Sequence, residues 1–229
     1  MLAVIELRQY TMKPGQRDIF VDVFERHLIE PQEDVGMTVI GHFRDQGDPN
    51  KFVWLRGFRD MSSRRAALES FYGSDLWYEH RDAVNETLVD SDDVLLLRPV
   101  TGFGNGSALA GEEALFTATI WPFAEPVSAD TIGAFTEEIA PLLAETGATP
   151  VALLVTEPSK NDFPRLPVRE GENVVVALTR FDDAAAHEAH AAALERSPRW
   201  RELAGALEDR LSGTPRTLLL SPAARSHLA

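Results

Sequence analysis

The 229-residue chain carries 36 acidic residues against 22 Lys and Arg, a formal charge of −14, and it has no cysteine. That balance repels phosphate backbones and anionic bilayer surfaces, which disfavours nucleic-acid and membrane partners. The lack of cysteine rules out disulfides, thiolate nucleophiles and cysteine-ligated zinc or iron–sulfur centres. At 44% apolar residues the chain can bury a sizeable core. No apolar run approaches the roughly 20 residues of a bilayer span, and Glu6 cuts the N-terminal apolar stretch short of a signal peptide. A cytoplasmic protein is the expectation.

The first predicted element is a strand from Val4 to Met12, ended by the turn signal Lys13-Pro14-Gly15. Ile19, Phe20, Val23, Phe24, His27 and Leu28 recur at three- and four-residue spacing, the mark of an amphipathic helix that closes near Gly36. His27 falls on its apolar face, where an interface role outweighs a catalytic one. Two strands follow, Met37 to Arg44 and Phe52 to Arg59, joined by the hairpin chemistry of Gln46-Gly47-Asp48-Pro49-Asn50. Asp60 caps a second helix, which breaks at Gly73-Ser74-Asp75 and resumes through Trp77. Val94 to Leu97 is a fourth strand, stopped by Pro99. The order β-α-β-β-α-β is the ferredoxin-like arrangement.

Residues 102–113 read as a Gly-rich linker. The glycines of Gly102-Phe103-Gly104-Asn105-Gly106-Ser107 are out of register for a phosphate loop, and no Lys-Ser/Thr follows them. Beyond the linker the pattern restarts. A strand runs from Leu115 to Phe123, and a helix capped at Ser128 or Asp130 stops at Gly147. Further strands are expected at Val151 to Val155, Val174 to Phe181 and Leu218 to Leu220, with Asp183 capping the helix between the last two.

A shift of 111 carries Phe24, Gly36 and Thr38 onto Phe135, Gly147 and Thr149. A shift of 123 carries Val53, Leu55, Phe58 and Asp60 onto Val176, Leu178, Phe181 and Asp183, and Ser74 and Trp77 onto Ser197 and Trp200. The longer loop from Pro158 to Gly171 absorbs the difference. The expected fold is therefore α+β: tandem duplicated ferredoxin-like units at 1–101 and 114–229. Each four-stranded sheet covers one face with its own helices, and the other face must be buried against the second half or against another chain.

Glu6-Leu7-Arg8-Gln9-Tyr10-Thr11-Met12-Lys13-Pro14-Gly15 resembles the opening signature of the NIPSNAP family, an E-L-R-x-Y strand leading to K-P-G and a helix. The resemblance covers about the first 100 residues; the second half shares the pattern but not the signature. It implies a dimeric α/β-barrel core with helices outside, hence a homodimer or other homo-oligomer, in a superfamily that also holds antibiotic-biosynthesis monooxygenases. It implies no particular reaction.

Alternation along the strands sorts two faces. Ile5, Leu7, Val39, Gly41, Phe43, Val53, Leu55, Gly57, Leu95 and Leu97 form an apolar set expected beneath the helices. The opposite set holds Glu6, Arg8, Tyr10, His42, Trp54 and Arg56. The second half replaces Glu6, Arg8, His42 and Arg56 by Thr117, Thr119, Leu153 and Thr179, so any chemistry is expected in the first. Arg8 or Arg56 would hold a carboxylate or enolate, His42 would act as base, and Tyr10, Trp54 and Trp77 would wall a pocket for a small organic ligand. Catalytic roles fall to His42, Arg56 and Tyr10, and ligand-binding roles to Glu6, Arg8, Trp54 and Trp77. Cofactor-independent monooxygenation suits this equipment, with no cofactor and no metal. The other reading of Glu6, Arg8 and Arg56 is an ion-pair network that fixes the sheets. The competing function is a non-catalytic interaction or scaffold protein. Asp183, His187 and His190 share a helix face, but the two histidines are three apart rather than the four a zincin helix needs.

Overall fold

A computed structural model describes residues 1–103 and 113–228. Gly104 to Ser107 of the expected linker lie outside them. The chain divides into two compact units: Met1–Arg98 with Glu157–Gly171 and Pro222–Leu228, and Pro99–Thr156 with Glu172–Ser221.

The first unit runs β1 (Val4–Met12), α1 (Arg17–His27), α2 (Ile29–Asp34), β2 (Thr38–Asp45), β3 (Lys51–Phe58), α3 (Met61–Tyr72), α4 (Asp75–Thr87) and β4 (Leu88–Thr101), of which residues 88–98 belong here. Local chemistry sets the joints. Gly36, at φ +91°, occupies the left-handed region that lets the chain leave α2 for β2. Asp60 and Ser63 form a reciprocal capping box at the start of α3. The Ser74 side chain accepts from Trp77 N to restart the helix as α4. The strands pair antiparallel in the order β4-β1-β3-β2, with Glu6 opposite Arg56 and Tyr10 opposite Phe52. A bulge between Val39 and Gly41 turns the start of β2 by one residue.

The two sheet faces are reversed relative to the expectation. Tyr10, Phe52, Trp54, Phe58 and Leu96 share a core with Phe20 and Phe24 of α1 and Leu68 and Phe71 of α3, so the polar set lies beneath the helices. Ile5, Leu7, Phe43, Val53 and Leu97 lie on the opposite face, each fully buried. The physical reason is that helices bring polar partners as well as apolar ones: Gln32 of α2 and Arg64 of α3 reach the polar strand residues. The bulge moves Val39 onto the helix-covered face as well.

In the second unit the order is β5 (Leu115–Phe123), α5 (Ala129–Ala134), a π-helical turn (Phe135–Ile139), α6 (Ala140–Glu145), β6 (Thr149–Thr156), β7 (Asn173–Phe181), α7 (Ala184–Arg196), α8 (Pro198–Glu208) and β8 (Arg216–Pro222). The strands pair antiparallel as β8-β5-β7-β6, and a bulge between Pro150 and Ala152 repeats the one at Val39. Ser128, Asp183 and Ser197 cap their helices, and Gly147 takes φ +109° where Gly36 takes +91°. Trp121, Phe135, Leu153, Val175 and Ala177 centre the core. Among the described residues no helix is long and apolar enough to cross a membrane.

Candidate functional site

Glu6 is the hub of the first unit's polar set. Its Oε2 accepts from Arg8 Nη1 and Arg56 Nε, and its Oε1 from Arg64 Nε, each at 2.7 Å. All four side chains are excluded from solvent. Burial alone would push the carboxyl up, but Arg56, Arg8 and Arg64 outweigh it and hold Glu6 far below the ordinary 4.5. The guanidiniums are further engaged: Arg56 Nη1 donates to Gln32 Oε1 at 3.2 Å, and Arg64 Nη1 to Asp162 Oδ1 at 2.6 Å and Asn161 Oδ1 at 3.1 Å. Arg56 Nη2 and Arg64 Nη2 find no acceptor among the described residues. The network thus ties β1, β3, α2, α3 and the loop at residues 161–162 to one carboxylate.

Next to it, Arg8 Nε donates to Tyr10 Oη at 2.9 Å. The Arg8 and Arg56 guanidiniums stand 5.7 and 5.1 Å from the Trp54 ring, within cation–π range. Tyr10 and Trp54 meet edge to face at 5.9 Å. Together with Trp77, Tyr72, Gln32 and Phe71 they line a cavity of about 110 Å³ between the sheet and the helices. Burial raises the Tyr10 pKa even against Arg8, so its hydroxyl stays protonated at neutral pH. Its oxygen accepts from Arg8, which leaves the O–H proton to be donated. Trp54 Nε1 is buried and finds no acceptor among the described residues. Two residues of the cavity wall, Tyr10 and Trp54, therefore carry donors, O–H and Nε1–H, without an acceptor among the described residues.

Tyr10, Trp54 and Trp77 thus line one cavity, and Glu6, Arg8 and Arg56 form one cluster behind it. His42 is elsewhere. Its Nε2 pairs with Glu25 Oε1 at 2.9 Å, and its backbone is strapped by Ser226 Oγ and Ala223 N. It contacts Phe24, a cavity residue, at 5.2 Å between ring centroids but is itself not part of the lining. Burial lowers the His42 pKa, opposed by Glu25. His27 stacks on His80 at 4.2 Å.

Sequence reasoning missed Arg64, Gln32 and Glu25. Arg64 was detectable: it shares the stripe of Ala67, Leu68 and Phe71 on α3, and a cation on an apolar stripe needs a buried anion. Asp183 is occupied as the α7 cap, accepting from Ala186 N at 2.7 Å. No group of three or more metal-ligating side chains occurs among the described residues.

Paired helices over antiparallel four-stranded sheets place the chain in a mixed α/β class that solved structures share along nearly its whole length. One is an anthrone oxidase-like protein (13% identity, TM-score 0.61, 99% of this chain and 94% of that one). Another is a candidate monooxygenase from Lactobacillus acidophilus NCFM (11% identity, TM-score 0.57, covering 97% and 94%). At these identities the likeness is one of fold. Residues 5–102 match the family model described as NIPSNAP. An uncharacterized NIPSNAP-like domain protein from Burkholderia xenovorans is 28% identical over 43% of this chain and 85% of its own, with a TM-score of 0.40. No curated protein matches the sequence.

Proposed function

We propose that the chain binds a small, largely apolar organic molecule bearing an acceptor oxygen, and that its first unit holds that group in the Tyr10–Trp54–Trp77 cavity. The observation that carries this reading is the pair of donors on Tyr10 and Trp54, without an acceptor among the described residues, in a wall that is aromatic and aliphatic apart from Gln32, Asn85 and Ser91. An apolar cavity of about 150 Å³ holds benzene, so about 110 Å³ suits the oxygen-bearing head of a molecule rather than a whole enclosed ring. The Glu6–arginine cluster acts behind this wall as a brace, with Arg8 fixing the Tyr10 hydroxyl.

The names of the fold-similar proteins make oxygenation the reaction to test. In that chemistry a substrate carbanion supplies the electrons, one atom of O₂ enters the substrate and the other leaves as water. The titratable residues lining the first cavity are Tyr10 and Tyr72, so in this unit the reading is binding.

The chain has four tryptophans, and each cavity has two of them in its wall: Trp54 and Trp77 here, Trp121 and Trp200 in the second unit. Indole N–H resonances therefore report the two places separately. Acetophenone, a one-ring ketone, is expected to shift Trp54 and Trp77, and Tyr10→Phe to weaken its binding about fivefold, the value of one hydrogen bond. Unchanged binding by a folded Tyr10→Phe protein, or no shift at Trp54, overturns the reading and favours the scaffold function.

A further inference from the structure

The second unit contains a cavity at the matching register of its own sheet, and it is larger, about 260 Å³ against about 110 Å³. Trp121, Leu143, Ala177, Leu194 and Trp200 line it at the positions that Tyr10, Gln32, Trp54, Phe71 and Trp77 hold in the first unit. The substitutions account for the volume. Glu6 opposite Arg56 becomes Thr117 opposite Thr179, with the two Oγ1 atoms 2.6 Å apart. Arg8, Trp54 and Arg64 become Thr119, Ala177 and His187. Every bulky member of the brace is replaced by a smaller side chain, and space opens. A surface groove of about 700 Å³ shares Trp121, Trp200 and Pro215 with the cavity, which gives it an entrance.

The wall specifies the ligand. No Lys, Arg, Asp or Glu lines the cavity, so an ion would enter unpaired and an uncharged molecule is favoured. Trp121 and Trp200 meet at 5.9 Å and 75°, giving aromatic walls at its mouth. With about 150 Å³ sufficient for benzene, about 260 Å³ admits two fused rings. His190 adds direction. Thr146 Oγ1 donates its proton to a carbonyl of its own helix, at 2.9 Å from Leu142 O, and so accepts from His190 Nδ1–H at 2.9 Å. The remaining nitrogen, Nε2, then carries the lone pair. Burial lowers the His190 pKa, which keeps the ring neutral.

We infer that the second unit is a separate ligand site for a neutral, flat, two-ring hydroxyaromatic, whose hydroxyl donates to His190 Nε2 while its rings lie against Trp121 and Trp200. The site does not depend on the first-unit reading.

The test titrates 2-naphthol into the full chain, followed by indole N–H resonances and calorimetry. Trp121 and Trp200 are expected to shift while Trp54 and Trp77 stay. Ala177→Trp, which restores the first unit's filling, should weaken binding at least tenfold. Ala177→Leu fills less of the space and should give an intermediate loss; it keeps the test open should the larger residue prevent folding. His190→Leu should weaken binding about fivefold or more through the lost acceptor. Shifts confined to Trp54 and Trp77 overturn this inference and leave the first-unit reading standing. Absence of binding, or undiminished affinity in a folded Ala177 variant, overturns it as well.

Discussion

Arg56 Nε donates to Glu6 Oε2 at 2.7 Å across the β1–β3 ladder, on the same rung where Thr117 and Thr179 bond in the second unit. One rung of one architecture therefore exists as a buried ion pair and as a neutral hydroxyl pair. The neutral version keeps the strands registered, so the ionic version is not needed for pairing. What it adds is a link from the sheet to α2, α3 and the 161–162 loop.

That geometry makes Glu6 the costliest polar residue to change. Glu6→Gln leaves three buried guanidiniums facing a neutral amide, and losing one partner of a buried pair costs about 3–5 kcal/mol. Urea unfolding should show a loss in that range with little change in slope. The converse change in the neutral rung, Thr117→Val, should cost about 1–3 kcal/mol, because it leaves one buried hydroxyl unpaired.

Glu6 also sets an acid limit. Its folded carboxyl lies far below the ordinary 4.5 because Arg56, Arg8 and Arg64 override the opposing effect of burial. A depressed acid contributes stability that is complete above its unfolded pKa and drains away as pH falls through and below that value. Unfolding free energy should therefore drop steeply from about pH 5 downward in the wild type. In Glu6→Gln this contribution should be missing, which urea titrations at stepped pH will show.

The caps, the helix breaks and most strands were legible because each is written in a few adjacent residues: Asp60 and Asp183, Ser74 and Ser197, Gly36 and Gly147. The face assignment was not. Side-chain parity separates Glu6, Arg8, Arg56 and Trp54 from Ile5, Leu7 and Leu55 but does not say which set a helix covers. Arg64, 58 residues from Glu6, supplied the answer. The bulge at Val39 is equally silent in sequence. β4 begins at Leu88, six residues before the expected Val94, because Asp90, Asp92 and Asp93 read as loop while the backbone there still pairs with Thr11 and Gln9. The size of the second cavity depends on which small residues face inward together, and that needed the register.

Gly36 and Gly147 close the first helical segment of each unit at φ +91° and +109°, and no atom lies within 4 Å of the point where an alanine methyl would sit. Space is therefore no obstacle, and the cost of Ala is conformational, about 1–2 kcal/mol at each site. Thermal unfolding of Gly36→Ala and Gly147→Ala should show similar losses, roughly additive in the double variant.

His42 offers the last separable titration. Burial depresses its pKa, Glu25 Oε1 at 2.9 Å opposes this, and the net shift is downward from 6.5. The unfolded chain then binds the proton more readily, so this residue costs stability as pH falls below about 6.5, above the Glu6 range. Glu25→Gln removes the opposing charge and should lower the His42 pKa further, read from its imidazole proton shifts between pH 4 and 8. An unchanged or raised value would mean that Glu25 does not face the ring in solution. The same substitution should leave acetophenone shifts at Trp54 unaltered, since His42 is not part of the cavity wall.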